Sequence, residues 1–69
     1  MPERNDKGSG NDILIEFVVR GGSVKVTAID GASGVEASIV GPSSAPRATL
    51  EAAAVRKLAY VMSKGRPAD

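Results

Sequence analysis

Cysteine, histidine and tryptophan are all missing from this chain, and the aromatic residues come down to one phenylalanine and one tyrosine. Without cysteine there is no disulfide and no thiolate zinc site, a composition that suits a reducing compartment. Without histidine the usual general base, the commonest metal ligand and the imidazole-based triads all go together. Long apolar runs are lacking too. No segment approaches the length that spans a bilayer, and Met1 to Asp12 holds no leader-like apolar core, so a cytoplasmic protein with no membrane partner is expected. Charge of one sign is also in short supply. Nine basic and eight acidic residues leave a net charge of +1, too little for non-specific nucleic-acid affinity to follow from the total. A chain of 69 residues makes one small domain whose core alone supplies about 3–5 kcal/mol.

What is present begins with Ile13 to Asp30, ILIEFVVR-GG-SVKVTAID. Side chains alternate faces along a strand. Ile13, Ile15, Phe17 and Val19 therefore share one face, and Leu14, Glu16, Val18 and Arg20 the other. A second strand places Val24, Val26 and Ala28 opposite Ser23, Lys25, Thr27 and Ile29. Gly21-Gly22 suits a two-residue turn of type I′, in which both central residues need positive φ. That turn sets Arg20 against Ser23, Phe17 against Val26 and Ile15 against Ala28, with both apolar rows on one side. Slipping the register by one residue would throw a whole row into water. No lysine-bearing phosphate loop or GxGxxG surrounds the glycine pair, so it reads as a turn.

The flanks follow. Met1 to Asp12 (MPERNDKGSGND) is charged, glycine-rich and nearly free of apolar groups, and is expected to be disordered. Gly31 to Gly34 is turn chemistry. Val35 to Val40 reads as a third strand with Val35, Ala37 and Ile39 inward, and Gly41 to Ala45 as a loop that ends it. From Pro46 the period changes. RATLEAAAVRKLAYVMSK has helix-forming composition and no internal glycine or proline. Ser44 is the best N-cap available, Gly65 a C-cap, and Pro67 a stop, after which residues 65–69 should fray. Leu50, Ala54, Leu58, Val61 and Met62 fall on one helical face.

The reading is an α+β domain over residues 13–64: a three-stranded antiparallel meander with one C-terminal α-helix across one face, β-β-β-α. The expected large core residues are Ile13, Ile15, Phe17, Val19, Val24, Val26, Val35, Ile39, Leu50, Leu58, Val61 and Met62. A core this small makes stabilisation by a partner, such as a second copy in a homodimer, a reasonable expectation.

Two surfaces are candidates for function. The outer sheet face carries Leu14, Val18, Ile29 and Val40, more apolar side chains than a solvated face needs. β-branched residues also raise strand propensity on open faces, which is the ordinary explanation. The helix carries Arg56, Lys57, Tyr60 and Lys64 at near-helical repeat, and Arg20 and Lys25 could join them in gripping a nucleic acid. Basic residues late in a helix also simply suit its dipole. A catalytic site finds no support. No carboxylate pair falls in a common pocket, Ser43-Ser44 has no base to activate a hydroxyl, and no cofactor or metal is implied. Glu16 is better explained as a diagonal cross-strand partner of Lys25.

Ser23 to Asp30 (SVKVTAID), Ser38 to Gly41 (SIVG) and Val55 to Val61 (VRKLAYV) are the segments that resemble a family of short uncharacterised alphaproteobacterial proteins, over roughly Ile13 to Met62. The resemblance implies a bacterial cytoplasmic origin and supplies no catalytic residues. The topology is also similar to sheet-plus-helix DNA binders, the integrase amino-terminal and plant ethylene-response-element domains. Those read the major groove from an arginine- and aromatic-rich sheet face, whereas this face has two basic residues, two acidic ones and no aromatic. Double-stranded-RNA-binding domains share β-β-β-α but begin with a helix this chain lacks. The expected function is a small non-enzymatic interaction module, self-associating or partner-binding through the outer sheet face, with weak nucleic-acid binding by the helix stripe as the alternative.

Overall fold

The computed structural model describes residues 12–64; the expectations for the rest of the N-terminal lead-in and for the Gly65 cap and following tail lie outside them. Three strands, β1 (Ile13–Arg20), β2 (Ser23–Asp30) and β3 (Glu36–Pro42), form an antiparallel sheet in the order β1-β2-β3, followed by the helix α1 (Arg47–Lys64). The β-β-β-α reading is therefore the observed architecture. The register is the one parity demands: Phe17 opposite Val26, Ile15 opposite Ala28, Val26 opposite Ile39 and Ala28 opposite Ala37.

Four local details differ from the sequence expectation. Gly21 has φ of 59° while Gly22 does not have a positive φ. Positive φ at the first turn position alone is the type II′ pattern, not type I′; both suit the strand twist. β3 begins one residue late and runs on through Gly41 and Pro42, held by the Ser43 N–H donating to the Gly22 carbonyl at 2.8 Å. The helix starts from Pro46, whose carbonyl accepts from Thr49 and Leu50, so Ser44 sits upstream in a turn and does not cap it. Asp12, read as part of the lead-in, is half-buried, and its carbonyl accepts from the Gly31 N–H at 2.9 Å.

The β2–β3 loop is built by Asp30. Its carboxylate accepts from the Ser33 N–H at 2.9 Å and the Ser33 hydroxyl at 2.7 Å. Its carbonyl accepts from Gly34, which has φ of 79°. A short carboxylate that substitutes for backbone partners, followed by a glycine in the left-handed region, closes the loop without strain.

The core is narrower than expected. Val24, Val26, Ala28, Ala37, Leu50, Ala54 and Leu58 are the buried apolar residues among those described. Ile15, Phe17, Val35, Ile39, Val61 and Met62 are half-buried against them. Ile13 and Val19, counted as core from the sequence, are 42% and 65% exposed. The reason is where the helix lies. Its main contacts are with β3 and β2, not β1. Two of the three inner residues of β3 are small (Ala37 and Gly41, with Ile39 between them), whereas all four of β1 are bulky (Ile13, Ile15, Phe17, Val19). A Cβ on Gly41 would stand 2.6 Å from the Leu50 side chain, so the helix settles where glycine and alanine let it come close. Arg47, in the first helical turn, reaches back with its guanidinium 4.2 Å from the centre of the Phe17 ring. That contact occupies part of the Phe17 face that α1 leaves uncovered.

Candidate functional site

On the outer sheet face the four candidate residues lie in two sets, as the parity register implies. Leu14 stands opposite Ile29, and both are half-buried. Val18 and Val40 flank Lys25 in another row, 41% and 69% exposed. Four residues of strand, about 13 Å, separate the two sets. Between them runs a polar row, Glu16–Thr27–Ser38, in which Thr27 is buried and its hydroxyl meets that of Ser38 at 2.8 Å.

The basic residues are divided as well. Arg56, Lys57, Tyr60 and Lys64 are exposed on the helix. Arg20 and Lys25 lie on the sheet face opposite the helix, since the alternate residues Val24 and Val26 are the ones buried under it. Two of the helical cations are engaged within the chain. The Lys57 ammonium donates to the Ser38 carbonyl at 2.8 Å. The Lys64 ammonium lies 5.8 Å from the Tyr60 ring centre.

What brings chemistry together is the contrast between the two sheet edges. Ladder phase decides which backbone groups face outward. The Gly31 to Asp12 bond shows that even-numbered residues on the β1 side bond to β2, so the N–H and C=O groups of Ile13, Ile15, Phe17 and Val19 point away from the sheet. The Asp30 to Val35 and Ser43 to Gly22 bonds give the same information for β3, whose outward residues are Glu36, Ser38, Val40 and Pro42. The β3 edge is guarded. The Ser38 carbonyl is taken by Lys57, Pro42 has no N–H to offer, and its carbonyl accepts from Ala45 at 3.0 Å. A lysine and a proline are standard ways of blocking strand addition.

The β1 edge has neither device. It is an eight-residue strand with no lysine and no proline. Among the described residues nothing pairs with its outward side. The same strand carries an inner row that the helix leaves exposed at its two ends, Ile13 at 42% and Val19 at 65%, with Ile15 and Phe17 half-buried between them and Arg47 over the Phe17 ring. Unpaired backbone and uncovered apolar side chains therefore coincide on β1. Sequence reasoning placed Leu14 and Val18 on this strand but missed the edge and the inner row. The available signal was the size difference between the β1 and β3 inner rows, which tells the helix where to sit.

Among the described residues no three acidic side chains gather where they could hold a metal ion, and no helix is long and apolar enough to cross a membrane. Among protein-family models, the one described as Domain of unknown function (DUF6898) matches residues 10–65. None of the curated proteins and none of the solved structures matches the chain.

Proposed function

The chain belongs to the DUF6898 family, and from that premise we propose that it is a non-enzymatic protein-interaction module whose contact surface is β1. A partner adds a strand along the open edge, and its side chains cover Ile15, Phe17 and Val19 on the helix side and Val18 on the other. Main-chain bonds supply affinity in such pairings and alternate side chains supply specificity. The observation that carries this reading is the asymmetry of the edges: β3 is guarded by Lys57 and Pro42, whereas among the described residues β1 is left open beside a partly exposed apolar row. The cysteine-free composition suits the cytoplasm, and the likeness to short alphaproteobacterial proteins suits a bacterial source.

A photo-crosslinking residue placed at Val19 in cells tests the reading, with the same residue at exposed Glu51 on the helix as control. Discrete adducts from position 19 and none from position 51 are expected. No adduct from 19, or the same adducts from both, would overturn it.

A further inference from the structure

Resting on β1 as the contact strand, we infer that its occupant is a second copy of this chain. The two β1 strands pair antiparallel about a twofold axis normal to the sheet, with Val18 of each copy at the axis. The product is one six-stranded sheet with both helices on the same side.

Geometry leaves few registers to choose from. The outward backbone groups belong to odd-numbered β1 residues, so odd must pair with odd, and a twofold axis normal to the sheet satisfies this. An axis at Glu16 sets Glu16 directly against its own copy, and like charges directly opposite are destabilising. An axis at Phe17 sets Glu16 against Val18 and Leu14 against Arg20, leaving each charge beside an aliphatic side chain. An axis at Val18 sets Glu16 against Arg20 and Phe17 against Val19, each twice by symmetry, and Val18 against Val18. Every pair is then matched in kind, charge with opposite charge and apolar with apolar. This register pairs residues 16–20, five per strand against seven for an axis at Glu16 or Phe17, so it is matching in kind and not length that favours it. An axis at Ile15 also pairs five but sets Leu14 against Glu16, and axes nearer either end pair fewer. The Val18 register also places Val19, the most exposed apolar residue of β1 at 65%, and Val18 at 41%, at the centre of the contact.

The offset helix fits this assembly. Each α1 lies over β2 and β3, so four strand spacings separate the two helices, about 19 Å. Helices in contact stand 8–10 Å apart. The copies therefore meet without a clash, and the two uncovered inner rows become the floor of one channel between the helices. A helix centred on β1 would have prevented this.

Sedimentation of the full chain over a dilution series tests the inference, alongside Glu16→Arg, Arg20→Glu and the double variant that carries both. A wild-type dimer is expected, weakened about tenfold or more by either single reversal, because two opposite-charge pairs become like-charge pairs. The double variant restores the pairs in reverse and should regain the wild-type affinity. Circular dichroism of each variant confirms that the fold is retained. Since the chain has no cysteine, Val18→Cys supplies a second readout. Facing residues at such a non-hydrogen-bonded pair stand about 4.5 Å apart, within disulfide range. Mild oxidation should link Val18→Cys into a covalent dimer and leave Phe17→Cys largely unlinked. Monomeric wild-type protein at millimolar concentration, single reversals without effect, a double variant that stays weak, or preferential linking of Phe17→Cys would each overturn the inference. If the purified chain is monomeric while the Val19 crosslinker still captures a different protein in cells, the second copy is wrong and the β1 reading stands. If neither associates, both fall.

Discussion

Gly41 shows how much a single missing Cβ decides. With hydrogen in that place, Leu50 packs onto the backbone of β3 and is buried; with a methyl group, the Leu50 side chain must move from a 2.6 Å contact. Overpacking of this kind costs about 1–3 kcal/mol. Gly41→Ala should lower stability in urea by that amount, and Leu50→Ala in the same chain should make the combined loss smaller than the sum of the single losses. The hairpin glycines make a contrasting pair. Gly21 holds φ of 59°, and Gly22 has no positive φ and no heavy atom within 4 Å of an added Cβ. Gly21→Ala is expected to cost about 1–2 kcal/mol through left-handed strain. Gly22→Ala is expected to stabilise by about 0.4–1 kcal/mol, by lowering the entropy of the unfolded chain. Equal effects at the two positions would contradict the type II′ assignment.

At the scale of elements, the strands are fixed by alternation and the helix by composition, and both were plain in the sequence to within a residue or two. The cap was not. A proline carbonyl can open a helix without any capping side chain, so Ser44 looked suitable and was bypassed. The edges were missed for another reason. The two-residue turn fixes the ladder phase, but Lys57 guards β3 from nineteen residues away in the chain, which no local pattern shows. Lys57→Met removes that guard. It should raise light scattering at high concentration through the β3 edge while lowering stability by less than about 1 kcal/mol. Val19→Pro acts on the opposite edge. It removes an outward N–H, spares the bonds to β2, and should abolish β1-dependent association measured by sedimentation. Val40→Ser, on the guarded edge, should leave that association unchanged.

At the scale of the whole molecule, seven buried apolar residues among those described, three of them alanine, make a slight core. Binding that favours the native state adds stability by mass action. The melting temperature of the wild type should therefore rise with protein concentration, and that rise should vanish in Val19→Pro. By itself the sequence determined the order of elements, the pairing register and the two sides of the sheet, because alternation, turn chemistry and helical period are local properties of the chain. It did not determine how far across the sheet the helix would come to rest. That depends on the summed volumes of Ala37, Ile39 and Gly41 on β3 against those of Ile15, Phe17 and Val19 on β1, two rows at opposite edges that compete for one helix. The tertiary structure settled that contest in favour of the small side, and in doing so it left β1 uncovered.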